Sequence, residues 1–256
     1  MKTHTQLVDI LISLGLRGVK KNLDDHIVSA EKKNSSYLSF IHELLASEIK
    51  DRSDRRYQRN LSSAHFPTIK SLNTFEYDGI TGVNPKQINQ LLDFRWVDAH
   101  RNILFFGPPG LGKTHISIAL GCEALLKGYS VCFERVTNLI KLLKSVDIQR
   151  SSAFRLNRIM KSDIFIIDEI GYTPIEKKEA NLFFNLVSEL YEKTSIIITS
   201  NKAVSSWAEM MGDQIMTTAL LDRLLHRAEI LNLSGKSYRL NKKGEKKPLP
   251  ETGNSV

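Results

Sequence analysis

Cysteine is nearly absent: the 256 residues hold only Cys122 and Cys132. Neither belongs to a CxxC pair or stands near clustered histidines, which argues against metal ligation. Both read as small buried hydrophobes of a reducing cytoplasm. Long apolar runs are missing too, and no stretch approaches the roughly 20 residues of a membrane span. The apolar start "LVDILISLGL" is broken by Asp9 and has no small-residue cleavage pattern behind it. Neither a signal peptide nor a membrane partner is expected, and the chain reads as cytoplasmic. Acidic residues are outnumbered, 28 Asp+Glu against 36 Lys+Arg, for a net charge of +8. That balance says nothing about fold but favours anionic partners, nucleic acid first. No internal repeat is apparent.

What is present falls into two rhythms. Residues 1–66 carry helical periodicity: behind a serine N-cap in "SSYLSF", Leu38, Ile41, Leu45 and Ile49 recur three and four apart on one face. The helix then turns charged, with Lys50, Arg52, Arg55, Arg56 and Arg59 against Asp51 and Asp54. Residues 67–84, rich in proline and glycine with their flanks, read as a linker. From residue 85 the pattern changes. "NILFFG", "SVCFERV", "DIFIIDE" and "TSIIITSN" are continuously apolar strands separated by helices. The helix "PIEKKEANLFFNLVSELYEK" is expected to bury Ala180, Phe183, Val187 and Leu190. This alternation predicts an α/β fold with a parallel sheet covered on both faces. The polar tail, residues 242–256, is expected to be disordered.

The first strand runs into "GPPGLGKTH", a match to GxxxxGK[ST]. Its glycines let backbone N–H groups curl around phosphates, at the positive end of the helix that follows. Gly107, Pro108, Pro109, Gly110, Leu111, Gly112, Lys113, Thr114 and His115 are therefore expected to line a bound ATP. Lys113 is placed to reach the β- and γ-phosphates and the Thr114 hydroxyl to hold Mg²⁺. In "IFIIDE" a buried strand ends in two carboxylates, which are rarely buried unless paired or metal-bound. Asp168 suits Mg²⁺, and Glu169 suits polarising the attacking water. Asn201 closes a further strand beside them. Phosphoryl transfer needs positive charge beyond Lys113 and the metal, with Arg223, Arg227 and Arg239 the late candidates.

These runs, with "IIDEIGYTPIEKKEANLFFNLVSELYEKTSIIITSN", "LLDRLLHRAEILNLSGKSYR" and the N-terminal "YLSFIHELLASEIKDRSDRR", resemble the IstB family. IstB is the AAA+ helper ATPase of insertion-sequence transposition, akin to DnaC-like and DnaA-like proteins. The resemblance reaches to about residue 240 and implies a Rossmann-like AAA+ P-loop core over 85–241. That core has helices on both faces and a short C-terminal lid, preceded by a small N-terminal helical domain for oligomerisation or DNA contact. It implies ATP hydrolysis with Mg²⁺, Arg223 as an arginine finger acting in trans, Arg239 as a sensor-2 arginine and Asn201 as sensor 1. The partners implied are double-stranded DNA, an IstA-like transposase and further copies of the chain. Arg227 is not carried over.

DNA contacts need clustered cations. Between residues 141 and 161, Lys141, Lys144, Arg150, Arg155, Arg158 and Lys161 oppose only Asp147; Arg52, Arg55 and Arg56 form a second candidate cluster. A DnaC-like helicase loader and a nucleotide-gated structural DNA-binding protein with little turnover stay open as alternatives.

Overall fold

A computed structural model describes residues 2–235 and 237. The chain divides into two compact units, Met1–Ser62 and Ser63–Val256. The first is built from α1 (Lys2–Ser13), α2 (Arg17–Lys33) and α3 (Tyr37–Ala64), whose last two residues belong to the second unit. Ser36 caps α3, its Oγ accepting from the Ser39 N–H at 3.2 Å. The core of this unit is small: Leu11, Val19 and Leu23 are buried, with Val8, Leu16, Ile27 and Leu44 against them. A buried carboxylate completes it. Glu48 accepts from the N–H groups of Gly18 (2.6 Å) and Val19 (3.1 Å), capping α2, and pairs with Arg52 at 2.7 Å. Burial alone would raise its pKa, but Arg52 and the two amides hold it below the usual glutamate value.

That cap sets the rotation of α3. Leu44 and Glu48, four apart, face α2, and the apolar stripe lies on another side of the helix: Leu38 is 80% exposed and Ile49 71%. Ile41 and Leu45 are also exposed.

The second unit holds β1 (Ile80–Thr81), α4 (Pro85–Gln90), α5 (Arg95–Asp98), β2 (Asn102–Phe106), α6 (Lys113–Leu126), β3 (Val131–Arg135), α7 (Val136–Ser145), α8 (Arg150–Met160) and β4 (Ile164–Ile170). α9 (Lys177–Leu190), β5 (Ser195–Ser200), α10 (Trp207–Met211), α11 (Gln214–Leu225), β6 (Ala228–Asn232) and β7 (Ser234–Gly235) complete it. Five strands pair in the order β3-β4-β5-β2-β6, all parallel. β2, β4 and β5 are almost wholly buried, as continuously apolar strands covered on both faces must be. α6 is the central covering helix, with ten of its 14 residues buried. Its Gly121 lets it approach the sheet: a Cβ there would meet Ile166 Cδ1 at 3.0 Å. α9 starts with a capping box between Glu176 and Glu179 and buries Ala180, Phe183, Leu186, Val187 and Leu190.

The stretch expected as a linker is folded into this unit. Phe66 packs edge-on to Phe133, Asn84 caps α4, and β1 pairs antiparallel with β7. Gly82 serves close approach: a side chain there would collide with the Asn232 carbonyl. The unit boundary therefore falls before Ser63. Arg239, with the lid segment around it, and the tail 242–256 lie outside the described residues. None of the described helices is long and apolar enough to cross a membrane.

Candidate nucleotide site

The carboxyl ends of β2, β4 and β5 converge where open α/β sheets bind their ligands. Beyond β2 the chain turns through Gly107, Gly110 and Gly112, at φ of 141°, 86° and 83°. A Cβ at Gly107 would strike the Leu233 carbonyl, and one at Gly112 the Phe75 ring. α6 begins at Lys113, so its free N–H groups and positive end face the hollow of this loop. Lys113 is mostly buried and folds back, Nζ donating to the carbonyls of Gly107 at 2.6 Å and Pro108 at 2.9 Å. Pro109 and Leu111 complete the turn, with Leu111 buried beneath it.

Asp168 is fully buried at the end of β4. Its Oδ1 accepts from the hydroxyls of Thr114 at 2.7 Å and Thr199 at 2.6 Å. Its Oδ2 is buried with no hydrogen-bond partner among the described residues. A solvent-excluded carboxylate oxygen without a donor suits a cation, and the set Thr114 and Asp168 fits a hard divalent ion such as Mg²⁺. The adjacent Glu169 points elsewhere because the β4–β5 ladder slips between Ile167 and Ile170. This bulge holds Glu169 at φ 66°, a left-handed conformation that costs a non-glycine residue about 1–3 kcal/mol. Glu169 is thereby half-exposed, its N–H donates to Thr199 Oγ1 at 2.9 Å, and its carboxylate lies 3.5 Å from Arg135 Nε. Asn201 follows β5 beside Gly171, with its Oδ1 also buried and unpartnered among the described residues.

A cleft of about 540 Å³ opens beside the loop, with Phe75, Thr114, His115 and Arg135 in its wall. His115 donates from Nε2 to the Ser71 carbonyl at 2.9 Å, and the Phe75 ring stands edge-on to it at 5.3 Å. The segment 67–84 thus forms one side of the site, a role that its linker-like composition concealed. Thr199 and Arg135 were also not anticipated. A threonine closing the apolar run in "SIIITS" and a charge ending "VCFER" were their only signals.

Arg223 lies at the other end of the sheet. The carbonyl of its neighbour Leu224 accepts from Asn102 Nδ2 at 2.9 Å, and Asn102 opens β2, whereas the phosphate loop follows Phe106 at its close. At a strand rise of about 3.3 Å per residue the two ends stand roughly 15 Å apart, more than one arginine side chain spans. The guanidinium stacks on the Phe184 ring at 4.9 Å and donates to the Ala219 carbonyl at 2.9 Å. Arg227 is exposed at the same end, its carbonyl accepting from the Asn102 N–H.

Comparison with known proteins bears on this arrangement. The profile of the IstB-like ATP-binding proteins matches residues 10–246. The chain belongs to that family. The ATP-binding protein of insertion sequence IS21 from Pseudomonas aeruginosa is 37% identical over 92% of this chain and 89% of its own length. That of IS5376 from Geobacillus stearothermophilus is 38% identical over 84% and 85%. Among solved structures the DnaC helicase loader superposes with a TM-score of 0.53 at 20% identity, covering 64% of this chain and 96% of that one. DnaA bound to AMPPCP and single-stranded DNA gives 0.53 at 20%, covering 71% and 55%. The fold is the AAA+ P-loop fold that the sequence led us to expect.

The basic residues of this IstB-like chain separate by their partners. Lys141, Arg150 and Lys161 are exposed, Arg158 half so, and all lie on or beside α7 and α8. Lys144 is exposed but bound to Glu179 at 2.9 Å, which raises its pKa. Arg155 does not belong with them. It is buried, paired with Glu134 at 2.7 Å, and donates to the carbonyls of Ser63 and Phe133, each at 2.9 Å. A guanidinium so enclosed clamps α8 to the sheet edge and is not available to phosphates. In the first unit Arg52 and Arg55 answer Glu48 and Asp51 along the helix, and Arg56 is also partnered. Phe154 and Ile148, 65% and 84% exposed, stand among the α7–α8 cations.

Proposed function

We propose that this IstB-like protein is an ATP-hydrolysing regulator of transposition whose catalytic sites are completed between subunits. The observation that carries the reading is the separation of Arg223 from the phosphate loop of its own chain by the full length of β2. A finger at that distance acts only on a neighbour's nucleotide, so turnover requires a homo-oligomer.

Within each site the geometry supports the following roles. The loop amides and the α6 N-terminus cradle the phosphates. Lys113 leaves its own loop carbonyls for the β- and γ-phosphates. Thr114 and Asp168 would hold Mg²⁺, which when bound neutralises charge on the phosphoryl oxygens. Glu169 orients and deprotonates the attacking water once free of Arg135, and Asn201 contacts the γ-phosphate side. The neighbour's Arg223 supplies the remaining positive charge, a contribution of about 10³ to 10⁵ in rate for such fingers.

The exposed cations of α7 and α8 bind the backbone of double-stranded DNA, with affinity set by counterion release and little dependence on sequence. Several subunits acting together bend the duplex, at a cost on the order of 1–6 kcal/mol, and recruit an IstA-like transposase that carries out strand transfer. Because linkage is reciprocal, ATP and duplex stabilise one another on the oligomer. The test is a titration against end-labelled duplex and single strand, with and without ATP. Cooperative, ATP-dependent assembly on duplex with a shortened end-to-end distance is expected. A strong single-strand preference without bending would instead mark a helicase loader.

A further inference from the structure

We infer that Phe184 is a positioning residue for the trans-acting arginine: its ring sets the direction in which Arg223 is presented to the neighbouring nucleotide. The inference rests on the proposed trans role of Arg223.

An arginine in the last turn of a surface helix ordinarily samples many rotamers in water. Arg223 does not have that freedom. Its guanidinium lies over the Phe184 ring, 4.9 Å from the centroid, while Nη1 donates to the Ala219 carbonyl one turn back. It is half-buried, and it forms no ion pair among the described residues. The two contacts use the cation's face and one edge and leave its other N–H groups uncommitted, the state suited to a fork that must meet phosphate oxygens. A carboxylate partner would hold the arginine as firmly but would neutralise it; an aromatic face holds it and keeps the charge.

The ring comes from a different element. Phe184 is on α9, beside the fully buried Phe183, whose side chain points into the core. Phe184 is only partly buried. One phenylalanine of the pair fills the core and the other faces α11. α9 is the helix that follows β4, so the strand that carries Asp168 and Glu169 of one subunit continues into the support for the finger of that same subunit. Orientation of the finger is therefore fixed by α9 and not by α11 alone. Fixing a reacting group in advance raises rate without raising affinity for the bound nucleotide.

The experiment uses the full-length protein on duplex DNA with Phe184→Leu and Phe184→Tyr, following kcat, KM for ATP and the thermal midpoint. Leucine keeps the apolar packing and removes the π face; tyrosine keeps both. For Phe184→Leu we expect kcat to fall roughly tenfold with KM and midpoint near wild type, and for Phe184→Tyr most of the rate to return. Mixed with Glu169→Gln subunits, which keep an intact finger, Phe184→Leu should regain activity; mixed with Arg223→Ala it should not. A wild-type kcat in Phe184→Leu would overturn the inference. So would equal losses in both variants, or a loss confined to KM and midpoint, which would mark simple packing. If Arg223→Ala and Glu169→Gln subunits complement each other while Phe184→Leu is unimpaired, only the role of Phe184 falls. If those two fail to complement, the trans reading falls and takes this inference with it.

Discussion

The two ends of the central sheet are built on opposite principles. At the carboxyl end, Asp168 is buried with one oxygen unpaired among the described residues and Glu169 is held in a left-handed backbone conformation. Glycines also keep three loop positions clear of side chains. Negative charge and backbone strain are gathered at that end. At the amino end, Arg223 is stacked on an aromatic ring and Asn102 ties α11 to β2 and β5 through the Leu224 carbonyl and the Ile196 N–H. Positive charge is held there, away from the glycine loop of the same chain. Arg155 provides the contrast at the β3 edge: every contact it makes lies inside the fold. What an arginine does in this protein follows from its partners.

The contrast can be broken at several points. Arg223→Ala and Glu169→Gln attack opposite ends yet should each lower turnover by about 10³, with ATP binding retained, as measured by hydrolysis beside equilibrium nucleotide binding. Lys113→Ala should instead weaken ATP binding itself by about 2–3 kcal/mol, read by calorimetric titration. Arg155→Ala should lower stability by about 3 kcal/mol in urea unfolding, because the partly buried Glu134 loses its partner and the carbonyls of Ser63 and Phe133 lose their donor. Neutralising Arg150, Arg158 and Lys161 should leave stability nearly unchanged. It should reduce the salt slope of duplex binding by about 0.9 for each phosphate that the protein no longer neutralises.

The smallest effect concerns the amino end of α11, the helix that carries Arg223. Asp213 caps α11, and its carboxyl is held below the ordinary aspartate value by the Met216 N–H and then by Lys177. Since the folded value is the lower one, the cap's contribution is present above the unfolded pKa and is lost as pH falls through the folded value. Hydrogen exchange at the Met216 amide should therefore accelerate only at strongly acid pH, and in Asp213→Ala at all pH values.

The carboxyl end was the legible one. Phosphate chemistry fixes GxxxxGK[ST] in sequence, and a strand buried on both faces must read as "IFII" before its carboxylates. Position on the helix could not distinguish Arg155 from Arg158, three residues on in a basic run. The carbonyls of Ser63 and Phe133, distant in sequence from the first and close in space, make the difference. The stripe Leu38, Ile41, Leu45, Ile49 showed that a face exists but not which side of α3 meets α2. Glu48 decides that by capping α2. Residues 67–84 had a linker's composition because turns and close approaches also need proline and glycine. The register of β1 on β7, and Phe75 against Gly112, appear only once the chain is folded.

The central claim, that each catalytic site joins the carboxyl end of one sheet to the amino end of another, is tested most directly by mixing two dead proteins. Arg223→Ala and Glu169→Gln are combined at varied ratios on duplex DNA and ATP hydrolysis is followed. Recovery that peaks at intermediate ratios is expected, because some interfaces then pair an intact Glu169 with an intact Arg223. Activity that stays at the level of the separate variants at every ratio would contradict it.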